Sequence, residues 1–319
     1  MKVNQNVNLS EFLWYKIGGT AKYVLDVSNV HEVQESIEFI QKNNIQQVFV
    51  LGLGANLIFT LNYFDGAIIR FVQPQGTSIR LIGEDQIEAF AGETLDDVIQ
   101  FGFDHNLIGL EWAGGLPSTV GASVRGNVGA FGGEVKDLVE KVEVVDKSSN
   151  EIKVLANQYL NFSYRESIVK KNKNLIVTSA TFKFKKATND ELKIAKETYQ
   201  KNIDYRKARH PLEHPNTGSV FKNIHTKENV EKVLNVFPEM IEDVEGKWHG
   251  KVSMAAVIAR LGLSGFRVGN AQISQKHSNF IVNLGGAKAS DVLALIETIQ
   301  LKCNESINFV PEVEVEIVR

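Results

Sequence analysis

The segment Gly114–Gly133, GGLPSTVGASVRGNVGAFGG, contains seven glycines among twenty residues, and most of its other side chains are small. We call it the glycine segment. Small residues cannot build a core, but they let backbone N–H groups approach a ligand closely, and a phosphate-bearing cofactor suits such groups. The alternative interpretation is a set of tight turns that binds nothing.

A second glycine-rich turn, Gly52–Asn56, follows the apolar run VFVL, which is typical of a short strand. Neither region has the dinucleotide-binding pattern G-x-G-x-x-G, because Leu57 occupies the last position of the pattern that begins at Gly52. Neither has the Gly-Lys-Ser/Thr of a P-loop. These absences disfavour a plain Rossmann or nucleotide-triphosphatase fold, whereas two glycine loops from two units could hold one long diphosphate cofactor.

Ser219 lies in the run NTGSVFKN directly after Gly218, which allows the backbone to turn sharply. Lys222 and Asn223 place a cation and an amide nearby. A hydroxyl in this setting could give or take a proton, although a serine in a turn more often bonds to nearby backbone. The hydrolase pattern G-x-S-x-G is absent, because Phe221 stands where the second glycine would be.

Arg165 and Glu312 are the other candidates for chemistry. Arg165, in the run FSYRES, can bind carboxylate or enolate oxygens through two parallel hydrogen bonds, and its alternative is an ion pair with Glu166. Alternation in PEVEVEIVR predicts one strand with Glu312, Glu314 and Glu316 on the same face. That spacing alone also fits the solvated face of an edge strand.

Histidine and cysteine give little sign of metal or redox chemistry. His210 and His214 are four residues apart, but Pro211 and Pro215 argue against the helix that a zinc pair needs, so we expect no metal site. Cys303, the single cysteine, excludes an intramolecular disulfide and lies on the apolar face of a predicted helix. We expect it to fill space in the core.

Composition sets the broad class. A chain of 319 residues predicts two or three domains, and its formal net charge of -3 comes without a basic block of the kind that binds nucleic acid. The run MKVNQNVNLSEFLWY lacks the cationic start and apolar block that are typical of a signal peptide, and no apolar stretch reaches the ~20 residues of a membrane span. We therefore expect a cytoplasmic protein that binds neither nucleic acid nor membrane.

Periodicity predicts the elements that hold these residues. Apolar residues at helical spacing predict helices over about 30–43 and 254–261, and a polar helix over about 190–205 is expected to be followed by Arg206, Lys207 and Arg209. Thr94 is the predicted N-cap of a helix that reaches about residue 105, and Ser290 the predicted cap of a helix that ends near residue 303. Strands are predicted at about 68–72, 87–91, 176–184 and 311–319.

Seven blocks of the sequence, in this order, resemble the UDP-N-acetylenolpyruvoylglucosamine reductases of bacterial peptidoglycan synthesis. They are YKIGGTAKYV, VLGLGANLIF, GLEWAGGLPSTVGASVRGNVGAFGGEV, SYRES, PLEHPNTGSVFKN, GFRVGNAQISQKHSNFIVN and FVPEVEV. The blocks extend through nearly the whole chain, and their joint order and spacing are more specific than any one of them. The compact stretch from Tyr164 to Val177 resembles the shorter subclass of the family.

The resemblance implies an α+β fold, with a two-subdomain FAD-binding module of the vanillyl-alcohol-oxidase (PCMH) type and a C-terminal α+β substrate-binding domain. The implied bounds are 1–72, 73–204 and 205–319. The family holds FAD without a covalent bond and reduces it with NADPH. Flavin N5 then delivers hydride to the enolpyruvyl group of UDP-N-acetylglucosamine-enolpyruvate, which gives UDP-N-acetylmuramate for the cell wall. We expect a monomer.

The resemblance also implies roles for individual residues. Ser219 matches the family's proton donor, and Arg165 and Glu312 match the residues that stabilise the enolate-like intermediate. Lys222 and Asn223 are expected to bind substrate, and we hypothesise that Lys222 supports the charge left on Ser219. The expected FAD contacts are Gly52, Gly54, Ala55, Asn56, Gly115, Pro117, Ser118, Thr119, Gly121, Ala122, Asn127 and Gly129.

Six positions in the glycine loops depart from the family pattern, and Arg125 and Val128 are two of them. Ser118 and Ala122 stand where glycine is common, and Leu53 and Ala55 stand where glycine and serine are common. These changes concern flavin contacts and remove no predicted catalytic residue, and Ser118 could add a hydroxyl to the diphosphate site. Two other functions stay open: another FAD oxidoreductase of the same fold, or a non-catalytic relative that binds nucleotide sugars.

Overall fold

The computed structural model describes residues 1–76 and 78–319, and these divide into two compact units. The first unit comprises residues 1–7, 21–53 and 63–206, and the second comprises residues 8–20, 54–62 and 207–319. The sequence predicted three consecutive segments instead. The division differs because two short N-terminal segments belong to the second unit, and because the last boundary falls after Arg206 rather than after residue 204.

The strands of the described chain are β1 (Lys2–Asn8), β2 (Thr20–Val27), β3 (Val48–Leu51), β4 (Leu57–Phe59), β5 (Tyr63–Phe71), β6 (Ile79–Ile82), β7 (Gln86–Phe90), β8 (Leu107–Ile108), β9 (Gly129–Ala130), β10 (Gly133–Glu134), β11 (Val139–Asp146), β12 (Glu151–Ala156), β13 (Leu175–Lys183), β14 (Lys185–Lys186), β15 (Arg267–Val268), β16 (Ala271–Ile273), β17 (Ile281–Asn283) and β18 (Glu316–Val318). The α-helices are α1 (Val30–Lys42), α2 (Leu95–Asp104), α3 (Val120–Arg125), α4 (Ile168–Lys171), α5 (Asn189–Arg209), α6 (Lys227–Val236), α7 (Met254–Arg260) and α8 (Ala289–Ile307).

The first unit is built on two larger sheets. One has the order β1-β2-β5-β3, in which β3 and β5 run parallel, and the other is antiparallel with the order β12-β11-β13-β7-β6. Buried apolar side chains from both sheets and from the helices packed on them form one continuous core. Its members include Leu25, Ile69, Ile87, Val98 and Val142. The predicted boundary between the two FAD-binding subdomains falls in the chain between β5 and β6, where one sheet ends and the other begins.

Local capping explains where two helices of the first unit begin. The Asn29 side chain accepts a hydrogen bond of 3.0 Å from Glu32 N, and Thr94 Oγ1 accepts one of 3.1 Å from Asp97 N. Each cap satisfies one backbone N–H that the first helical turn leaves unpaired. The predicted start of α1 and the predicted Thr94 cap of α2 are confirmed.

The second unit has its own apolar core and smaller sheets. Strands β15, β16 and β17 form an antiparallel sheet, and β4 pairs in parallel with β18, with Leu57 opposite Glu316. Tyr15, Phe221 and Ile296 are buried in this core. Cys303 is buried with them, as predicted, and burial raises the pKa of its thiol to about 12, so it stays protonated.

The predicted single strand over 311–319 is wrong in extent. Only β18 (Glu316–Val318) is a strand, and the chain bends at Val315. Glu314 N donates to Val220 O at 2.8 Å, whereas Glu316 N donates to Asn56 O at 3.1 Å. The two halves therefore pair with different segments, and the three glutamates do not share the face of one strand.

Two further boundaries differ from the sequence predictions. Ser290 does not cap α8, because the helix begins at Ala289 and Lys288 N donates to Asp291 Oδ2 at 3.0 Å. Helix α5 continues to Arg209 and so contains Arg206, which was predicted to follow it. Among residues 1–76 and 78–319, no helix is long and apolar enough to cross a membrane.

Candidate active site

The start of the glycine segment is fixed by hydrogen bonds to the stretch before α2. Gly121 N donates to Ala91 O at 3.0 Å, and Leu95 N donates to Ser118 O at 3.0 Å. Thr119 accepts a bond of 3.3 Å from Ala122 N and caps α3. The segment therefore has a defined backbone path, although the N–H groups of Gly121 and Ala122 are used within the protein.

Gly52, in the other glycine loop, approaches the glycine segment inside the first unit. A Cβ added to Gly52 would lie 2.7 Å from Thr119 Oγ1, closer than such atoms pack, so this approach needs glycine. Arg125 is the one charged residue of the glycine segment. A diphosphate held where the two loops meet would therefore face no carboxylate from the glycine segment, and the residues present fit an FAD diphosphate.

One face of α5 packs against the start of the glycine segment. Arg206 Nε donates to Gly114 O at 2.9 Å, and Asn202 Nδ2 donates to Glu111 O at 3.1 Å. A Cβ on Gly114 would lie 2.7 Å from Tyr199 O, so the helix is in close contact with the backbone there. Positions 199, 202 and 206 recur at helical spacing and form this contact together.

Arg206 also contacts the far end of the glycine segment. Its guanidinium carbon lies 5.1 Å from the centre of the Phe131 ring, and the Phe131 ring meets the Tyr205 ring edge-on at 5.3 Å. Phe131 has φ 50°, a left-handed conformation that is unusual for a bulky residue and needs support from its surroundings. Burial lowers the pKa of Arg206, and its Nη2 atom has no hydrogen-bond partner among the described residues.

Ser118 and Asn127, two predicted FAD contacts, have side chains that bond within the protein. Ser118 Oγ accepts a bond of 2.8 Å from Ser123 Oγ and donates to Thr119 O at 3.3 Å. Asn127 is fully buried, and its Nδ2 donates to Ser163 O at 2.9 Å. Because these side-chain polar atoms bind the protein's own chain, the contacts of the two residues with FAD stay predictions.

Arg165 lies on a loop that is bonded to the glycine segment. Its Nη2 donates to Gly129 O at 2.9 Å, and its guanidinium carbon lies 5.1 Å from the centre of the Tyr164 ring. Its backbone has φ 60°, which is rare outside glycine and often marks a functional position. The neighbouring Glu166 carboxylate accepts a bond of 2.9 Å from Lys170 Nζ.

In the second unit, Ser219 follows a turn that Asn216 and Gly218 shape. Gly218 has φ 74°, and the Gly218 N–H donates a hydrogen bond of 2.9 Å to Asn216 Oδ1. A Cβ at Gly218 would meet no atom within 4 Å, so glycine is needed there for its backbone conformation and not for space. The predicted sharp turn before Ser219 is confirmed.

Lys222 and Glu312, 90 residues apart in the chain, are joined twice. Lys222 Nζ donates to Glu312 Oε1 at 2.5 Å, and Lys222 N donates to Glu312 O at 3.0 Å. The Lys222 side chain is 13% exposed and that of Glu312 67%. The structure thus brings Glu312 to the segment that carries Ser219. Asn223 Oδ1 accepts a bond of 3.1 Å from Met254 N, so its predicted role in substrate binding stays a prediction.

Sequence reasoning missed two residues near these predicted sites. Arg206 was predicted only to follow the polar helix, although its helical spacing from Tyr199 and Asn202 could have indicated a shared contact. Asn279, in the run ISQKHSNF, accepts a hydrogen bond from the N–H of Phe221, two residues after Ser219. No local sequence pattern indicates this contact. Among the described residues, no cluster of three or more His, Cys, Asp or Glu suits a metal ion.

Comparisons with family models indicate a flavin-dependent oxidoreductase. Residues 21–155 match the model of an FAD binding domain, and residues 210–318 match that of the C-terminal domain of UDP-N-acetylenolpyruvoylglucosamine reductase. The protein is therefore an FAD-dependent oxidoreductase, as predicted, with the predicted α+β fold.

Full-length relatives identify the family. The UDP-N-acetylenolpyruvoylglucosamine reductase of Lactobacillus acidophilus is 33% identical over 320 residues, which covers 99% of this chain and 95% of that protein. The enzyme of Caldicellulosiruptor saccharolyticus is 34% identical over 310 residues, with 97% and 90% covered. The crystal structure of the Thermus caldophilus enzyme superposes with a TM-score of 0.77 at 28% identity and covers 100% of both chains. This chain belongs to the UDP-N-acetylenolpyruvoylglucosamine reductase family.

Proposed function

We propose that this protein reduces the enolpyruvyl group of UDP-N-acetylglucosamine-enolpyruvate to UDP-N-acetylmuramate with electrons from NADPH. It acts as a cytoplasmic monomer in the peptidoglycan synthesis that supports cell shape and division. The observation that carries this proposal lies in residues 219–222 of a chain of this family: Ser219 directly follows a tight turn, and three residues further on is Lys222, whose side chain pairs with Glu312.

When bound and reduced by NADPH, FAD would supply a hydride to the terminal carbon of the enolpyruvyl group. Gly52 and Thr119 would hold its diphosphate where the two glycine loops meet. The Ser118 and Asn127 side chains and the Gly121 and Ala122 N–H groups bond within the protein, so the contacts of these residues with FAD remain part of the proposal.

Hydride addition leaves negative charge on the enolate and carboxylate oxygens, and Arg165 is the cation proposed to stabilise that charge. A preorganised guanidinium accelerates the reaction if it binds this dianionic intermediate more strongly than the monoanionic enolpyruvyl carboxylate of the substrate. The bond to Gly129 O and the position over Tyr164 hold the guanidinium in place before substrate binds.

Glu312 requires a separate argument, because a carboxylate repels a developing enolate. It can help if it is protonated, or if it orients a cation. The bond of 2.5 Å between Lys222 Nζ and Glu312 Oε1 supports the alternative in which Glu312 orients a cation. In this proposal Glu312 orients the Lys222 ammonium, and that ammonium faces the charge that develops.

Ser219 delivers the proton to the carbon next to the carboxylate. Its hydroxyl is a poor acid in water, so the alkoxide that forms needs a neighbouring positive charge. Lys222, three residues along the same segment, supplies it. This division of roles assigns hydride chemistry to the cofactor and proton transfer to the second unit.

Two measurements test the function. The purified protein with FAD should show a flavin absorbance spectrum that NADPH bleaches without oxygen. The bleached spectrum should return on adding UDP-N-acetylglucosamine-enolpyruvate, with equimolar UDP-N-acetylmuramate formed. Bleaching without reoxidation by this sugar would point to another FAD oxidoreductase of the same fold. Binding of the sugar without any flavin spectrum would point to a non-catalytic relative.

A further inference from the structure

Asn279 lies in a sequence block to which the proposed chemistry gives no role. It is 2% exposed, and both ends of its side-chain amide bond to one residue. Phe221 N donates to Asn279 Oδ1 at 3.0 Å, and Asn279 Nδ2 donates to Phe221 O at 2.8 Å. In addition, Val220 N donates to the backbone oxygen of Asn279 at 2.8 Å. The side chain thus pairs with Phe221 much as a neighbouring strand would.

The other side of this segment bonds to the stretch that carries Glu312. Val220 O accepts a bond of 2.8 Å from Glu314 N, and Lys222 N donates to Glu312 O at 3.0 Å. The backbone from Val220 to Lys222 is therefore held from two sides, by Asn279 and by residues 312–314. Ser219 directly precedes this doubly bonded stretch, and Lys222 is its last residue.

We propose that Asn279 is the positioning residue that sets the geometry between the Ser219 hydroxyl and the Lys222 ammonium. This inference rests on the proposed function of that pair. An amide is required because only a side chain with both a donor and an acceptor can bond to the N–H and the C=O of Phe221 together. Small displacements of a proton donor lower the rate sharply, so loss of these bonds should affect proton transfer most.

Asn283 provides a matched control, because it is a buried asparagine of the same unit that also bonds to backbone with both ends. Its Nδ2 donates to Tyr15 O at 3.1 Å, and its Oδ1 accepts from Gly285 N at 2.9 Å. Both of these partners lie outside residues 219–222. A purely structural role of Asn279 would make the two asparagines behave alike.

The test compares Asn279→Asp with Asn283→Asp in the FAD-loaded enzyme by anaerobic stopped flow. Aspartate keeps the shape but removes the Nδ2 donor and faces Phe221 O with a carboxylate oxygen. Asn279→Asp should slow the step with the enolpyruvyl sugar about 10- to 100-fold and increase its solvent deuterium isotope effect. Flavin reduction by NADPH should change less than about twofold, and Asn283→Asp should leave both steps within that limit. The proposal would be overturned if Asn279→Asp slowed both steps equally, or if it slowed neither step.

A second measurement does not need turnover. Amide hydrogen exchange at Phe221, and at Val220 next to it, should become faster in Asn279→Ser and not in Asn283→Ser, because serine cannot reach Phe221 as the longer amide does. Unchanged exchange would overturn the proposal even if Asn279→Asp does not fold. If the unmodified enzyme does not reduce the sugar, the proposed function fails, whereas faster exchange would still show that Asn279 holds the segment.

Discussion

Arg206 Nε donates a hydrogen bond of 2.9 Å to Gly114 O, and so joins the end of α5 to the first residue of the glycine segment. The same guanidinium packs on Phe131 near the other end of that segment. One side chain therefore contacts the segment at both ends, and the conformation of a loop with few large side chains of its own depends on a residue outside it.

Arg206→Met should weaken FAD binding. Methionine keeps the apolar stem but removes a hydrogen bond from a charged donor, worth about 1.5–3 kcal/mol. If most of this free energy is lost from the FAD-binding conformation of the glycine segment, the dissociation constant of FAD should rise about tenfold or more. Quenching of flavin fluorescence by the apoprotein measures it. Arg209→Met, at an exposed arginine of the same helix, is the control and should bind FAD like the unmodified protein.

Ser219→Ala should separate the two half-reactions. Loss of a proton donor typically lowers a rate by about 10²–10⁴, so reoxidation of the flavin by the enolpyruvyl sugar should slow by this factor. Bleaching by NADPH should continue at its normal rate. Anaerobic stopped flow at the flavin absorbance measures both, with Ser290→Ala, at an exposed serine, as control. Equal slowing of the two steps would show that the assignment of Ser219 is wrong.

Lys222→Met should also slow the second half-reaction, since it removes the cation proposed to stabilise the Ser219 alkoxide. Glu312→Gln should slow it less, because the ammonium remains but is less well oriented. Because the two side chains are bonded, the rate of the second half-reaction in the double variant should fall by less than the product of the two single-variant factors. A Lys222→Met enzyme that binds FAD and keeps full turnover would contradict the hypothesis.

Gly133→Ala should destabilise the first unit. The new Cβ would lie 2.4 Å from Cδ1 of the buried Trp112, and inserting atoms into packed space costs about 1–3 kcal/mol. Thermal unfolding of the apoprotein measures the change. Gly126→Ala is the matched control in the same segment, because its nearest contact is Ala122 O at 3.4 Å and its φ is -90°. Equal melting temperatures for the two variants would refute the packing argument.

The buried His277 should make stability depend on pH. Burial holds its pKa below the usual 6.5, so the folded protein binds fewer protons at this group than the unfolded chain. The contribution of His277 to the free energy of unfolding is fully present above pH 6.5 and is lost as the pH falls from 6.5 towards the lowered pKa. His277→Phe keeps a ring against Phe280 but cannot titrate. Urea unfolding at several pH values should therefore show a smaller loss on acidification in His277→Phe than in the unmodified protein.

Local patterns predicted much of the secondary structure. The start of α1 and the Thr94 cap of α2 depend on residues within one helical turn, so the sequence contains all the information needed. The Ser290 cap failed because Asp291, one residue further, bonds to Lys288 N instead. Two adjacent candidates of similar chemistry cannot be separated by residue type alone.

The site depended more on contacts between distant segments. The bend at Val315 follows from pairing with Val220 on one side and Asn56 on the other, and the alternation of residues 312–317 contains neither partner. The close approach of Gly52 to Thr119 is likewise invisible to spacing. Glu312 could be selected through family resemblance, but its bond to Lys222 becomes visible only in the fold.

The second unit is discontinuous in sequence, and this has a consequence for synthesis. Strand β4 pairs with β18, close to the last residue of the chain, and the Tyr15 hydroxyl donates to Ile281 O at 3.0 Å. Contacts of such long sequence separation slow folding, because a long loop must close before they form. On the ribosome, residues 8–20 and 54–62 must therefore wait for most of the chain to emerge. A fragment that begins at residue 207 would lack both segments, and we expect it to expose core surface and to aggregate.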